Sequence, residues 1–221
     1  TGAGPFETVT IGLDLRLTEV AGRTNRADGL GLAWLPTQDY GTGGAGPVFS
    51  TEPNLANAIG VGFDLWRDGG DSNNNHVSLH WNGAELGEWM PAFDLANGVF
   101  NPATLTLTQI DGGVLATLTL AEGDGAPVGI FEDVFLGGAV LESGRVAVGA
   151  QTRGEIAAHD IDNLTIATTA GPDTRQPLVF GTLVEGAIAI AGAVQRHAFA
   201  LAEPTTLVFD TRIRVRHAES D

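Results

Sequence analysis

The residues between positions 62 and 76 have the types and spacing to hold a cation. The run Gly62-Phe63-Asp64-Leu65-Trp66-Arg67-Asp68-Gly69-Gly70-Asp71-Ser72-Asn73-Asn74-Asn75-His76 is the most concentrated polar stretch of the chain. A strand pattern delivers Asp64, a glycine-rich loop carries Asp68 and Asp71, and His76 opens the next strand pattern. Hard cations take several oxygens from a flexible loop, mixing carboxylates with backbone carbonyls. The same composition also makes a solvated hairpin turn, because Asp, Asn and Gly are turn formers in their own right. An EF-hand register begun at Asp71 would need Gly at 76 and Glu at 82, where the chain has His76 and Asn82. His76 and His80 are four apart, which on a strand separates them by about 13 Å, too far to chelate one ion.

Composition narrows the remaining chemistry. All 11 basic residues are arginine and there is no cysteine, against 27 acidic residues. The missing lysine removes a Walker-type phosphate loop, a Schiff-base amine and a Ser–Lys dyad. The missing cysteine removes disulfides, thiolate metal sites and thiol nucleophiles. A net charge of −16 argues against nucleic acid or an anionic membrane surface as partner. It fits a solvated, calcium-tolerant extracellular protein. No run of about 18 apolar residues is present to insert in a membrane.

The elements that must position these residues follow a period of two. Val9, Ile11, Leu13, Leu15 and Leu17 alternate with Thr10, Gly12, Asp14 and Arg16, one half-buried strand. Thr104–Ile110 and Val114–Leu120 flank Asp111-Gly112-Gly113 and form a hairpin. Leu30–Leu35, Ile59–Trp66, His76–Trp81, Val128–Phe131, Arg145–Ala150 and Ile161–Thr168 are further strands, and no segment carries a capped helical stripe. The 31 glycines, about twice the usual ~7%, suggest many tight turns. Many short strands with glycine-rich turns predict an all-β, antiparallel jelly-roll sandwich. Small and polar residues with a proline at 168–173 mark a boundary. The expected organisation is a domain at 1–168, a linker at 169–177 and a partial second β module at 178–221, in a piece of a longer protein.

Three motifs in order carry a family resemblance. They are Ala27-Asp28-Gly29-Leu30-Gly31-Leu32-Ala33-Trp34, then Gly41-Thr42-Gly43-Gly44-Ala45-Gly46, then Phe63-Asp64-Leu65-Trp66 through His76. Together they resemble the L-type (legume-like) lectins of the concanavalin A-like superfamily. The family's calcium loop is similar in register, with the places of its ligands held here by Asp64, Trp66, Asp68, Asp71 and His76. The stretches Arg145–Ala150 and His159–Leu164 resemble the end of bacterial members. In the tail, Gly192-Ala193-Val194-Gln195-Arg196-His197-Ala198-Phe199 resembles the start of a small secreted β-sandwich module.

That resemblance implies roles. Asp64 and Asp71 would give carboxylates to Ca2+ and Trp66 its backbone carbonyl. Asp68 would stand where the family's Asn touches both calcium and sugar. Asp28, after a cis peptide bond, would accept hydrogen bonds from sugar hydroxyls, and Gly43 or Gly44 would offer a backbone N–H. Two departures follow. Gly62 stands where the family has a Glu, leaving a transition-metal site with Asp64, Asp71 and His76 alone, too few for tight binding. Asp68 replaces Asn, and a carboxylate accepts without donating, so one sugar contact must be rewired.

Trp34 and Trp66 lie inside strand patterns and read as core, while Tyr40 suits either a sugar or its own loop. The superfamily also contains glucanases, whose retaining mechanism needs two carboxylates about 5–5.5 Å apart. The strand Ile59–Trp66 has only Asp64, and Glu85, Glu88, Glu122 and Glu132 have no paired partner in view. The expected function is therefore calcium-dependent binding of glycans or polysaccharide, without catalysis, by a secreted or cell-surface module. The alternative is a calcium-stiffened structural or interaction domain of an adhesin.

Overall fold

The computed structural model describes residues 6–22, 25–152 and 154–170, together with a two-residue parallel pairing of Gln176–Pro177 with His197–Ala198. The chain divides into two compact units, Thr1–Pro172 and Asp173–Asp221. The expected module at 178–221 otherwise lies outside the described residues, as does most of the expected linker.

The first unit is two five-stranded antiparallel sheets. Its strands are β1 (Phe6–Glu19), β2 (Gly29–Pro36), β3 (Ile59–Asp64), β4 (His76–Trp81), β5 (Ala84–Trp89), β6 (Asn101–Ile110), β7 (Gly113–Leu120), β8 (Val128–Gly137), β9 (Gly144–Gln151) and β10 (Ala157–Ala170). One sheet has the order β10-β1-β6-β7-β8 and the other β5-β4-β3-β2-β9. The alternating set Val9, Ile11, Leu13, Leu15 and Leu17 is buried throughout, as the period of two requires. It packs in one cluster with Leu105, Leu107, Leu118 and Leu120 of its own sheet and with Leu32, Val61, Phe63 and Leu79 of the other. Two inner faces sharing one core make a sandwich.

Three elements depart from the sequence reading. A one-turn helix, α1 (Thr37–Tyr40), follows β2. Strand β10 continues through Thr169 and Ala170, paired with Thr8 and Phe6, beyond the expected domain end at 168. Strand β5 was not expected, because Glu85, Leu86 and Glu88 show no apolar face and the strand lies at a sheet edge. Its signal was Asn82-Gly83, both at positive φ, the residue pair favoured in a two-residue hairpin turn.

The glycines have a second use besides turns. Gly62, Gly31 and Gly149 stand in register across β3, β2 and β9, with Ser78 of β4 beyond them. A Cβ on Gly31 would meet Thr51 O at 2.7 Å, one on Gly62 would meet Thr51 O at 2.8 Å, and one on Gly149 would meet Phe49 O at 2.7 Å. This row is a floor on which the segment 49–51 lies against the outer face of the second sheet. Strand β2 is consequently buried on both faces, from Gly29 to Leu35.

Candidate metal centre and adjoining cleft

Strand β3 ends at Asp64, which is 4% exposed, and the chain turns sharply there. The Trp66 N–H donates to Asp64 Oδ1 at 2.5 Å, so the turn itself fixes the carboxylate. Further round the loop the Asp68 N–H donates to Asp71 Oδ2 at 2.5 Å, and Arg67 Nε donates to the Asp71 carbonyl at 3.0 Å. Asn75 ties the loop's end to the next segment: its Nδ2 donates to Phe93 O at 2.9 Å and its Oδ1 accepts from the Leu95 N–H at 2.8 Å. The loop is thus held by its own polar side chains, the use of Asn and Asp that turn chemistry favours.

Two groups of potential ligand atoms form around His76, each with all its atoms within 4.8 Å of one another. One is Glu52, Asp64 and His76; the other is Asp71, His76 and Glu88. Glu52 and Glu88 were not found from the sequence, because they come from the segment after the glycine floor and from the unread strand β5. Asp64 and Asp71 each stand with His76, but in separate groups. Each group contains one glutamate that the sequence reading did not count, and each still offers three side-chain ligands.

The electrostatics are those of crowded carboxylates. Burial pushes the Asp64 carboxyl up to about 8; the Trp66 N–H opposes this, and the charges of Glu52, Asp71 and Asp28 add to it. Burial also raises Glu52, with Asp71, Glu85 and Asp68 reinforcing it against His76. Anions held this close are stabilised by a cation placed among them. The donors present, carboxylate and imidazole, suit divalent ions.

Asp28 lies beside this centre. The Ala27–Asp28 peptide bond is cis. The Asp28 N–H donates to Gln151 O at 2.8 Å, and its carbonyl accepts from the Leu65 N–H at 2.7 Å, so it joins β9 to the start of the acidic loop. A cleft of about 270 Å³ opens there, lined by Ala27, Asp28, Trp66, Asp68, Gly154 and Glu155. Trp66 is half-buried and faces this cleft, in contrast to its expected place in the core. Trp34 is core, 3% exposed. Burial lowers the His159 imidazole while the charges of Asp28 and Asp160 oppose the shift.

Gly43 and Gly44 are placed elsewhere. Arg145, paired with Leu35 near the opposite end of β2, donates to Gly44 O at 2.9 Å and Tyr40 O at 2.8 Å. Neither glycine lines the Asp28 cleft. The Tyr40 hydroxyl donates to Ala56 O at 2.6 Å, an attachment within the loops.

No protein-family model matches the chain, and no curated protein matches its sequence. Solved structures do. The exoplasmic/lumenal domain of VIP36, in a Ca2+/Man-bound form, superposes with a TM-score of 0.54 at 15% identity, covering 77% of this chain and 72% of that one. The lectin from Bauhinia forficata in complex with GalNAc gives 0.52 at 17% identity, over 76% and 77%. A Lotus tetragonolobus seed lectin gives 0.51 at 14% identity, over 77% and 79%. The chain has the concanavalin A-like fold of the L-type lectins. On this lectin fold the two acidic groups and the Asp28 cleft occupy one end of the second sheet, where β3, β2 and β9 begin or end. Among the described residues no helix is long and apolar enough to cross a membrane.

Proposed function

We propose that the protein binds carbohydrate in the Asp28 cleft, with calcium held in the adjoining loop ordering its wall. The observation that carries this reading is the meeting of Asp28, Trp66 and Asp68 in one cleft whose wall is the acidic loop. Asp64 and Asp71 supply carboxylates, Trp66 its carbonyl and Asp68 a further oxygen. With its charge balanced by the ion, the loop presents Asp28 and Asp68 as acceptors for sugar hydroxyls. Both carboxylates can only accept, so they pair with donating hydroxyls of the sugar. The indole of Trp66 offers an apolar face beside them.

A loop of this kind works where calcium is abundant. Millimolar extracellular calcium would saturate a site with a dissociation constant of about 10⁻⁴ M, which supports a secreted or cell-surface setting. A shallow pocket binds single sugars weakly, and repeated display in a longer bacterial surface protein would raise the affinity through avidity. The test is a glycan array run on the full chain with millimolar calcium and again with chelator, alongside Asp28→Ala. Binding lost on chelation, and lost in Asp28→Ala with calcium uptake intact, supports the reading. A folded protein that binds no glycan in either condition favours the adhesin-spacer alternative.

A further inference from the structure

Asp28 stands where the connection after β1 meets β2. Its backbone is held on one side by the Gln151 carbonyl and the Leu65 N–H. On the other side the chain is held by Arg26, two residues earlier. The Arg26 side chain is 14% exposed, and its Nη1 lies 2.5 Å from Asp94 Oδ2 and 3.3 Å from Glu19 Oε1. Charge-assisted bonds to a guanidinium largely withdrawn from water are stronger than those of a fully exposed pair. Arg26 is not part of the cleft's lining, so its role there is not contact with a sugar.

Asp94 sits on a segment rooted in the core. Leu95 beside it is fully buried, and Phe93 packs against the same cluster. Asp94 Oδ1 accepts from the Ala96 N–H at 2.9 Å, which leaves Oδ2 for Arg26. Burial alone would raise the Asp94 carboxyl, but the bonds from Arg26 and the Ala96 N–H outweigh it and hold the group below its ordinary value. Asn75 ties the backbone on both sides of Asp94 to the end of the acidic loop, through Phe93 O and the Leu95 N–H. The chain entering Asp28 and the acidic loop are thus fastened to the same segment, 93–96.

The geometry points to Arg26 as a positioning residue of the Asp28 cleft: through Asp94 it clamps the chain entering Asp28 to segment 93–96, at the spacing from the acidic loop that Asn75 sets. The inference rests on the reading that sugar binds at Asp28. Asp28 and Asp68 enter the cleft from different parts of the chain, so a saccharide bonded to both needs their separation fixed. Hydrogen bonds weaken steeply outside a narrow range of distance and angle. The Asn75 bonds do not involve Arg26, so the acidic loop keeps its own attachment when the clamp is cut.

The test uses R26Q, R26K and D94N in the full chain, with millimolar calcium, on an array of immobilised neutral mono- and disaccharides. R26Q and D94N are each expected to weaken glycan binding by about tenfold, the scale of one charged hydrogen bond. The double variant is expected to be no weaker than either single one, because both remove the same link. Both ion pairs use the single atom Nη1, so the one ammonium of R26K is expected to keep most of the affinity. Calcium titration of R26Q and its far-UV circular dichroism are expected to match wild type, which separates loss of the clamp from loss of fold. Amide exchange reads the clamp without a sugar: R26Q is expected to speed exchange at the Asp28 N–H and not at Leu32, in the middle of β2. R26Q binding glycan as wild type does, R26K as weak as R26Q, or additive losses in the double variant overturn the assignment. Folded wild type that binds no glycan, while Asp28 exchange still responds to R26Q, sinks the sugar reading and leaves the clamp standing.

Discussion

Replacing Asp64 by Asn tests the coupling between burial, protonation and calcium. The carboxyl is 4% exposed and pushed up to about 8, so at neutral pH the ion-free protein holds it largely protonated. Calcium requires the carboxylate, so binding must expel this proton. At about pH 6 the carboxyl lies about two units below its midpoint, which costs about 3 kcal/mol, or about 100-fold in calcium affinity relative to pH above 8. Calorimetry in two buffers of different ionisation enthalpy should show about one proton released per ion at pH 6.

The stability side has the opposite sign. A folded value raised above the unfolded one near 3.8 favours the fold fully below that value. This contribution is then lost as pH rises through about 8. The ion-free wild type should therefore lose about 1.4 kcal/mol per pH unit between these limits from this group alone. Asp64→Asn removes that contribution from the slope while its side-chain oxygen still accepts the Trp66 N–H. It should also weaken calcium by about 100-fold or more, because a neutral amide replaces an anionic ligand. Calcium affinity that is flat between about pH 6 and 8, without proton release, would refute the reasoning.

Three further outcomes are expected. Gly62→Glu, which places a carboxylate on the strand, should lower thermal stability by about 2 kcal/mol or more and not strengthen metal binding, since its Cβ meets Ser78 Oγ and Thr51 O. His80 is buried, bonded to Asn54 Oδ1 and Ser78 Oγ at 2.8 Å each, and lowered to about 4, chiefly by burial with the charge of His76 adding to it. Its depressed value means that its stabilisation is complete above about 6.5 and lost as pH falls through about 4. Urea melts should show a loss of about 3 kcal/mol across that window that His80→Gln lacks. Arg145→Ala should speed amide exchange at 40–46, at a cost of about 1–2 kcal/mol, and leave calcium affinity unchanged, because its bonds to Tyr40 O and Gly44 O hold only that loop.

Some of the site was legible because its residues are close in sequence. Asp64, Asp68, Asp71 and His76 belong to one strand-loop-strand unit, so spacing alone brings them near one another. Asp28 could be linked to them only through family likeness, since 36 positions separate it from Asp64 and only the β2–β3 register sets Gly29 beside Asp64. Gly43 and Gly44 show the limit of motif reading, for the pattern was clear while Arg145 holds their loop near the other end of β2.

What the sequence determined by itself is the two-residue period of the strands, the charge and the missing chemistries of lysine and cysteine. Those are local or additive properties, fixed by the order and identity of residues. Which carboxylates surround His76 was decided by tertiary structure. Glu52 arrives because a row of glycines lets its segment lie flat on the sheet, and Glu88 because an Asn-Gly turn brings a polar edge strand alongside β4. Neither glutamate carries a sequence signal of its own, for an acidic side chain between turns looks the same whether it meets water or a buried imidazole.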